Sequence, residues 1–154
     1  MSFKMVATDF AIDLGTSNIL VYKKNEGVII NEPSMIVLDQ NNTKVLAIGK
    51  EAKEMIGKTP SSIHVVKPIE NGVVTDFNLT EAMLKHFFDE VNPGTSIIQP
   101  KIVICVPSGI TDIESRAIED AALHAGSRDI ILVEQSLAAA FGMGLTPEDP
   151  RGIL

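Results

Sequence analysis

A glycine turn between two apolar runs near the N-terminus limits the possible folds of this chain more than any other stretch. Residues 11–21 have the sequence AIDLGTSNILV, with one carboxylate inside the first run and a break at Gly15. This pattern predicts a strand, a tight turn and a second strand, with Asp13 at the end of the first strand. The fold is therefore expected to contain a β-hairpin at this place.

The same turn has the chemistry of a polyphosphate site. Gly15 has no Cβ, so an anion can approach the backbone closely. The N–H groups and side chains of Thr16, Ser17 and Asn18 can converge on phosphate oxygens. Asp13 repels phosphate unless a cation lies between them, and Mg²⁺ held largely through water is the natural cation. The alternative is an ordinary hairpin whose aspartate caps the turn. The hairpin alone does not decide between the two.

Composition narrows the class of protein. The chain has 154 residues, is 45% hydrophobic and contains no Trp, which indicates a soluble globular protein. The net charge of −7 argues against nucleic acid as the main partner, because a phosphate-backbone binder needs a basic face. No apolar run approaches the ~20 residues that span a bilayer. The single cysteine, Cys105, lies in an apolar run and is expected to be a small buried hydrophobe in a reducing cytoplasm.

The predicted elements form three strands, an insertion, and then alternating helices and strands. The three strands are predicted at residues 6–14, 18–23 and 27–30. Residues 32–76 are rich in turns and predict a small α+β unit. Beyond them, helices at 78–91, 112–125 and 135–141 alternate with strands at 101–106 and 130–133. This βββαβαβα order predicts an α/β fold of the ribonuclease-H-like type, in which a three-stranded meander is extended by parallel strands through right-handed crossovers.

Two helices begin at a pattern typical of a capping box. Thr111 is followed three residues later by Glu114, and Asn78 is followed by Glu81. Within the helix that follows Thr111, Ile113 is expected on the core face together with the alanines. Thr111 and Asp112 are therefore expected to cap the helix rather than contact a ligand.

The end of the strand at residues 101–106 is a second candidate place for a ligand. The strand is almost continuously apolar, which is typical of a parallel sheet covered on both faces. Pro107, Ser108 and Gly109 follow it, and open α/β sheets place ligands at the carboxyl ends of such strands.

Several motifs in a fixed order carry a family resemblance. They are IDLGTSN at residues 12–18, VIINEPS at 28–34, Gly49 with EAK at 51–53, MIGKTP at 55–60, VP at 106–107, GITD at 109–112 and AAA at 138–140. In this order and spacing the chain resembles the MreB family of bacterial actins over almost its whole length.

The resemblance implies the first half of an actin and heat-shock-ATPase fold. Subdomain IA would comprise residues 1–31 and 77–154, and the inserted subdomain IB residues 32–76. The second domain, which supplies the other half of an ATP cleft, is not in this sequence, so the chain is expected to be part of a longer protein. Alone it is expected to bind ATP weakly and to turn over little or none.

The resemblance also implies a function and a set of site residues. Asp13 would hold Mg²⁺ through water, and Gly15, Thr16, Ser17 and Asn18 would surround the phosphates of ATP. The whole protein would hydrolyse ATP weakly and polymerise with itself. The filaments would lie at the cytoplasmic face of the cell membrane, where they would work with other cell-shape proteins. The alternative is a soluble ATPase or phosphotransferase of the same superfamily that does not polymerise. Nucleotide-dependent polymerisation separates the two.

Residues Glu134, Gln135 and Ser136 depart from the family pattern, which is usually Glu-Glu-Pro. The resemblance implies that the second of these residues orients the water that attacks the γ-phosphate. A glutamine can position water but cannot accept its proton, so hydrolysis is expected to be slower than with Glu. Actin also has Gln at the corresponding place, so the resemblance does not exclude hydrolysis. Glu134 could act instead only if it pointed into the cleft, and adjacent strand residues point in opposite directions. The alternative is that Gln135 only starts a helix.

Two adjacent aliphatic residues, Ile97 and Ile98, lie in a polar stretch between Gly94 and Gln99. MreB proteins have an apolar pair here that dips into the inner membrane, so the resemblance implies a membrane contact. Burial of both side chains would contribute about 3–6 kcal/mol at best. The alternative is that they begin the next strand and pack inside.

Overall fold

The structure of the chain is a computed structural model, which describes residues 10–58, 63–91 and 99–145. In chain order the elements are β1 (Phe10–Leu14), β2 (Asn18–Lys23), β3 (Gly27–Pro33), β4 (Ile36–Asp39), β5 (Val45–Ile48), α1 (Gly49–Met55), β6 (Ile63–Val66), β7 (Ile69–Glu70), β8 (Val73–Val74), α2 (Phe77–Val91), β9 (Lys101–Val106), α3 (Asp112–His124), β10 (Asp129–Glu134) and α4 (Gln135–Gly142).

The main sheet has five strands in the order β10-β9-β1-β2-β3. β1, β2 and β3 form an antiparallel meander, whereas β9 pairs in parallel with both β1 and β10. The predicted topology of a meander extended by parallel strands is therefore confirmed. The central strand β1 has Asp13 opposite Leu20 on one side and Cys105 on the other.

One face of this sheet contains the core. Phe10, Ile12 and Leu14 alternate along β1 as buried residues, and alternate residues of β9 are buried in the same way. They form one cluster with Phe87 of α2 and Ile118 of α3, so these two helices cover the face. Burial of one such side chain is worth about 1.5–3 kcal/mol, which makes this face the main source of stability.

The opposite face of the sheet is only half-buried. Because side chains alternate along a strand, Ala11 and Asp13 lie on this face together with Val103 and Cys105. No residue of α4 is buried, and Phe141 is half-exposed. Alternate residues of β9 are buried and those between them are partly buried, so its two faces are covered to different extents by the described residues. Its continuous apolar sequence hid the difference between the two faces.

The segment between β3 and α2 forms a small three-stranded sheet in the order β5-β4-β6. One of its faces packs against α1 through Val37, Ala47 and Ala52. The other face contributes Ile36 and Leu38 to the main core, so the two sheets share one hydrophobic cluster. The division of the chain into subdomains IA and IB stays a prediction.

Helix starts confirm one capping prediction and correct another. At α3, Thr111 Oγ1 accepts the N–H of Glu114 at 3.3 Å, and the Glu114 carboxylate accepts the N–H of Thr111 at 2.8 Å. This is the predicted capping box. At α2 the prediction of Asn78 is wrong, because the helix starts at Phe77 and Asp76 Oδ1 accepts the N–H of Leu79 at 3.0 Å.

The expected core position of Ile113 is also wrong, since its side chain is 81% exposed. The buried residues of α3 begin at Ile118. Five residues along an α-helix correspond to a rotation of about 140° from the first position. Ile113 and Ile118 therefore cannot lie on one narrow face, and the helix turns Ile113 towards solvent.

Candidate functional site

The loop between β1 and β2 is held in place through its carbonyl groups. The buried Ser34 donates its hydroxyl to the Gly15 carbonyl oxygen at 2.6 Å and its N–H to the Ser17 carbonyl oxygen at 3.0 Å. A Cβ on Gly15 would collide with the backbone carbonyl of Asn18, so the turn requires glycine. Within the described part of the chain, the N–H groups of Thr16 and Ser17 have no acceptor. They are available to an anion, which is the chemistry predicted for this loop.

A second turn supports the loop from the side. The N–H of Gly72 donates to Thr16 Oγ1 at 3.2 Å. Asn71 and Gly72 both have positive φ, at 51° and 77°, and join β7 and β8 as a two-residue hairpin turn. A Cβ on Gly72 would also collide with the ring of Pro107. Thr16 accepts this bond and still has a hydroxyl proton to donate to a phosphate oxygen.

Sequence reasoning did not identify Ser34 or the turn at Asn71 and Gly72 as parts of the site. The dipeptide Asn-Gly is a strong hairpin signal, so the turn was detectable from the sequence. Its contact with Thr16 joins positions 56 residues apart and had no local signal. The bond from Ser34 to Gly15 spans 19 residues and was equally hidden.

The side chain of Asn18 lies at the far side of the loop. Its Nδ2 donates to Asn31 Oδ1 at 2.7 Å, in an exposed bond between β2 and β3. This bond uses one proton of the Asn18 side-chain amide and does not involve the amide oxygen, Oδ1. Of the predicted phosphate-binding residues, Gly15, Thr16 and Ser17 thus form the loop itself, and Asn18 forms its edge.

Gln135 and Asp13 meet across the sheet. Gln135 is the first residue of α4, and its Nε2 donates to Asp13 Oδ1 at 2.8 Å in a partly buried bond. β9 lies between β10 and β1, so the glutamine side chain crosses the carboxyl end of β9 to reach the carboxylate. The structure therefore brings together the predicted cation ligand and the residue at the departure from the family pattern.

Glu134 is directed elsewhere. Its Oε2 accepts the hydroxyl proton of Ser108 at 3.0 Å. The Ser108 oxygen lies 2.9 Å from the Ser136 oxygen. Because Ser108 has one proton and donates it to the carboxylate, Ser136 donates to Ser108. These exposed hydrogen bonds hold the Glu134 side chain over the loop that follows β9. The same side chain makes no capping bond at α4.

The thiol of Cys105 lies beside Asp13 on the half-buried face. Burial raises the pKa of Cys105 above its ordinary value, and the negative charge of Asp13 raises it further. The thiol therefore stays protonated at neutral pH.

The residues present fit a cation held mainly through water and phosphate. The described residues contain no group of three or more His, Cys, Asp or Glu side chains placed to hold a metal ion. Asp13 supplies a carboxylate beside the loop, with one oxygen bonded to Gln135. Mg²⁺ in phosphate sites keeps several waters and takes only one or two carboxylates, so a single aspartate is a sufficient protein contribution.

The predicted membrane contact, Ile97 and Ile98, lies outside the described residues. None of the helices in the described part of the chain combines the length and the apolar character needed to cross a bilayer.

Comparison with known proteins gives a consistent match. Residues 7–154 match the family described as MreB/Mbl protein. The chain is 44% identical over 148 residues to the cell shape-determining protein Mbl of Bacillus subtilis (strain 168), in an alignment that covers 96% of this chain and 44% of Mbl. The chain therefore spans less than half the length of this curated relative.

Solved structures show the same fold. The crystal structure of MreB5 of Spiroplasma citri bound to ADP superposes with a TM-score of 0.83 at 32% identity, covering 96% of this chain and 44% of MreB5. A MamK double helical filament superposes with a TM-score of 0.75 at 18% identity, covering 90% of this chain and 44% of MamK. The ribonuclease-H-like half of an actin-like fold, predicted from the sequence, is confirmed.

Proposed function

Because this chain belongs to the MreB/Mbl family, we propose that it is the nucleotide-binding half of a cytoskeletal protein that forms filaments and helps to determine cell shape. The loop at Gly15 carries the proposal. Ser34 bonds the carbonyl groups of Gly15 and Ser17, and the N–H groups of Thr16 and Ser17 have no acceptor among the described residues. Asp13, one strand position before Leu14, would hold Mg²⁺ through water. ATP is the proposed ligand, and MreB5 has been solved with ADP and with AMPPNP.

In the proposed complex each residue has a distinct task. The N–H groups of Thr16 and Ser17 and the hydroxyl of Thr16 bind phosphate oxygens. Mg²⁺, when bound, neutralises the phosphates beside Asp13 and polarises the γ-phosphate. Gln135 lies beside Asp13 and can orient a water molecule through its amide, but it cannot accept the proton of that water. Hydrolysis by the whole protein is therefore proposed to be slow, and this chain alone is proposed to turn over little or none.

Ligand-observed NMR with ATP and the purified chain tests the nucleotide site, since the method detects weak binding. We expect Asp13→Ala to weaken binding of ATP in MgCl₂ by about tenfold, equivalent to about 1.4 kcal/mol. In EDTA the same substitution is expected to leave binding unchanged or to strengthen it, because a negative charge near the phosphates is lost.

The matched control is Asp112→Ala, which removes an exposed carboxylate at the start of α3. It is expected to change ATP affinity in neither buffer. Equal effects of Asp13→Ala and Asp112→Ala, or an effect of Asp13→Ala that does not depend on the cation, would overturn the proposed site.

Filament formation is the second part of the proposal. It is supported by family membership and by the structural likeness to MamK, which has been solved as a double helical filament. The assembly would be tested by ultracentrifuge pelleting of a protein that carries this chain at the full length of its relatives, with ATP, with ADP and without nucleotide. ATP-dependent pelleting is expected. A protein that stays in the supernatant in every condition would leave a soluble ATPase or phosphotransferase as the better description.

Membrane contact through Ile97 and Ile98 is the third part of the proposal, and it depends on the sequence alone. The net charge of −7 opposes anionic lipids. Lys101, near this pair in sequence, is paired with Asp129 at 2.9 Å and so adds little positive charge. We therefore propose an apolar contact. Co-pelleting of the same full-length protein with zwitterionic and with anionic liposomes should be similar, and it should fall in an Ile97→Ser/Ile98→Ser variant. Binding only to anionic liposomes would contradict an apolar contact.

A further inference from the structure

The hydrogen bond between Gln135 and Asp13 lies where a glutamate at position 135, which the resemblance implies for the family, would face the Asp13 carboxylate. The donor and acceptor lie 2.8 Å apart, and the bond is partly buried. An ionised carboxylate only accepts hydrogen bonds, whereas the amide nitrogen of Gln donates them. The glutamine thus satisfies one oxygen of Asp13 without any added cation.

A glutamate at position 135 would change this balance. Two carboxylates would then lie within hydrogen-bond distance of each other at a partly buried place. Like charges at this distance repel strongly unless a cation or a shared proton lies between them. A site with Glu at this position therefore needs a cation or a shared proton between the two carboxylates, and a site with Gln needs neither.

We propose that Gln135 is a positioning residue that takes the place of a divalent cation beside Asp13, so that the nucleotide-free site of this chain is complete without Mg²⁺. The inference rests on the proposed function only in naming the site as a nucleotide site. Its consequence is that Mg²⁺ binds here through its nucleotide, and that the cation by itself contributes little to the stability of the fold.

The second departure from the family pattern supports the same assignment. Ser136 stands where the family usually has proline, and its hydroxyl donates to Ser108, which in turn donates to Glu134. These two hydrogen bonds hold the Glu134 carboxylate away from Asp13. The start of α4 therefore places the amide of Gln135 beside Asp13, whereas the carboxylate of Glu134 is bonded to Ser108.

Thermal unfolding of the chain without nucleotide tests the inference. The wild-type melting temperature is expected to be the same in EDTA and in millimolar MgCl₂. The Gln135→Glu variant is expected to melt about 3–6 °C lower in EDTA and to recover at least half of this loss in MgCl₂. NaCl at equal ionic strength should not restore it, which separates a bound cation from screening.

Two further variants keep the test decisive. Gln135→Ala loses the hydrogen bond without adding charge, so its smaller loss of melting temperature should not respond to MgCl₂. The double variant Asp13→Asn/Gln135→Glu exchanges the amide and the carboxylate, and it should regain stability in EDTA because one donor again faces one acceptor.

Several outcomes would overturn the inference. They are a wild-type chain stabilised by MgCl₂ as strongly as Gln135→Glu, a Gln135→Glu variant as stable as wild type in EDTA, or an exchange variant no more stable than Gln135→Glu. These measurements contain no ATP. Failure of the chain to bind ATP would therefore count against the proposed function alone, and the melting temperatures would still decide the role of Gln135.

Discussion

Helices α3 and α4 both follow parallel strands of the same sheet, yet their first turns use polar side chains in opposite ways. At α3, Thr111 and Glu114 bond to each other's backbone and complete a capping box. At α4, Glu134 makes no capping bond, and Gln135 and Glu134 bond to other parts of the chain. Side chains that serve their own helix indicate a structural role. Gln135 instead extends across the sheet to Asp13, and this contact belongs to the proposed nucleotide site.

A clear loss of stability is expected from a substitution at the first of these helix starts. Thr111→Ala removes the acceptor for the Glu114 N–H and should lower the free energy of unfolding by about 1 kcal/mol. The affinity for ATP should not change, because Thr111 bonds only within α3 among the described residues. Urea unfolding measures the first quantity and ligand-observed NMR the second.

The comparison between the helices fails if Thr111→Ala weakens ATP binding. In that case the start of α3 would belong to the site as much as the start of α4 does. Thr111→Ser is the matched control, since it keeps the capping hydroxyl and should retain most of the stability.

A smaller effect is expected from Ser136→Ala at the start of α4. The substitution removes an exposed hydrogen bond to Ser108 but replaces serine by the best helix former, and these contributions have opposite signs. The free energy of unfolding should change by less than about 0.5 kcal/mol, which urea unfolding would measure. A loss as large as that of Thr111→Ala would mean that Ser136 stabilises its helix after all.

The two helix starts also differ in what the sequence alone could predict. Thr111 and Glu114 lie within one helical turn, so their contact follows from spacing, and the capping box was predicted. Gln135 and Asp13 lie 122 positions apart. The sequence marked both residues, one by its turn and the other by its departure from a family motif, but their contact depends on the order of β10, β9 and β1 in the sheet.

Periodicity predicted the strands better than it predicted which faces are covered. The apolar runs gave the strand order and the parallel pairing correctly. They did not distinguish the buried Ile104 from the half-buried Cys105, because both residues are apolar and adjacent. Hydrophobic character also misled the prediction for Ile113. Its side chain was expected in the core, but its position on the helix turns it to solvent.

The smallest predicted effect is a pH dependence of stability at the first helix start. The Thr111 hydroxyl, and then its N–H, hold the pKa of Glu114 below its ordinary value of 4.5. A lowered pKa in the folded state stabilises the fold above the unfolded pKa, and this contribution is lost as pH falls through the folded pKa. The difference in unfolding free energy between wild type and Glu114→Gln should therefore be present at neutral pH and should shrink on acidification below 4.5.

Urea unfolding of both proteins from neutral pH into the acid range would measure this difference, and the background titration of the other carboxylates cancels between them. Glutamine at this position can still reach back to the N–H of Thr111, so the variant isolates the charge and not the bond. A Glu114→Gln difference that stayed constant on acidification would show that the carboxylate charge at the start of α3 contributes nothing, and that the capping box acts through its neutral hydrogen bonds alone.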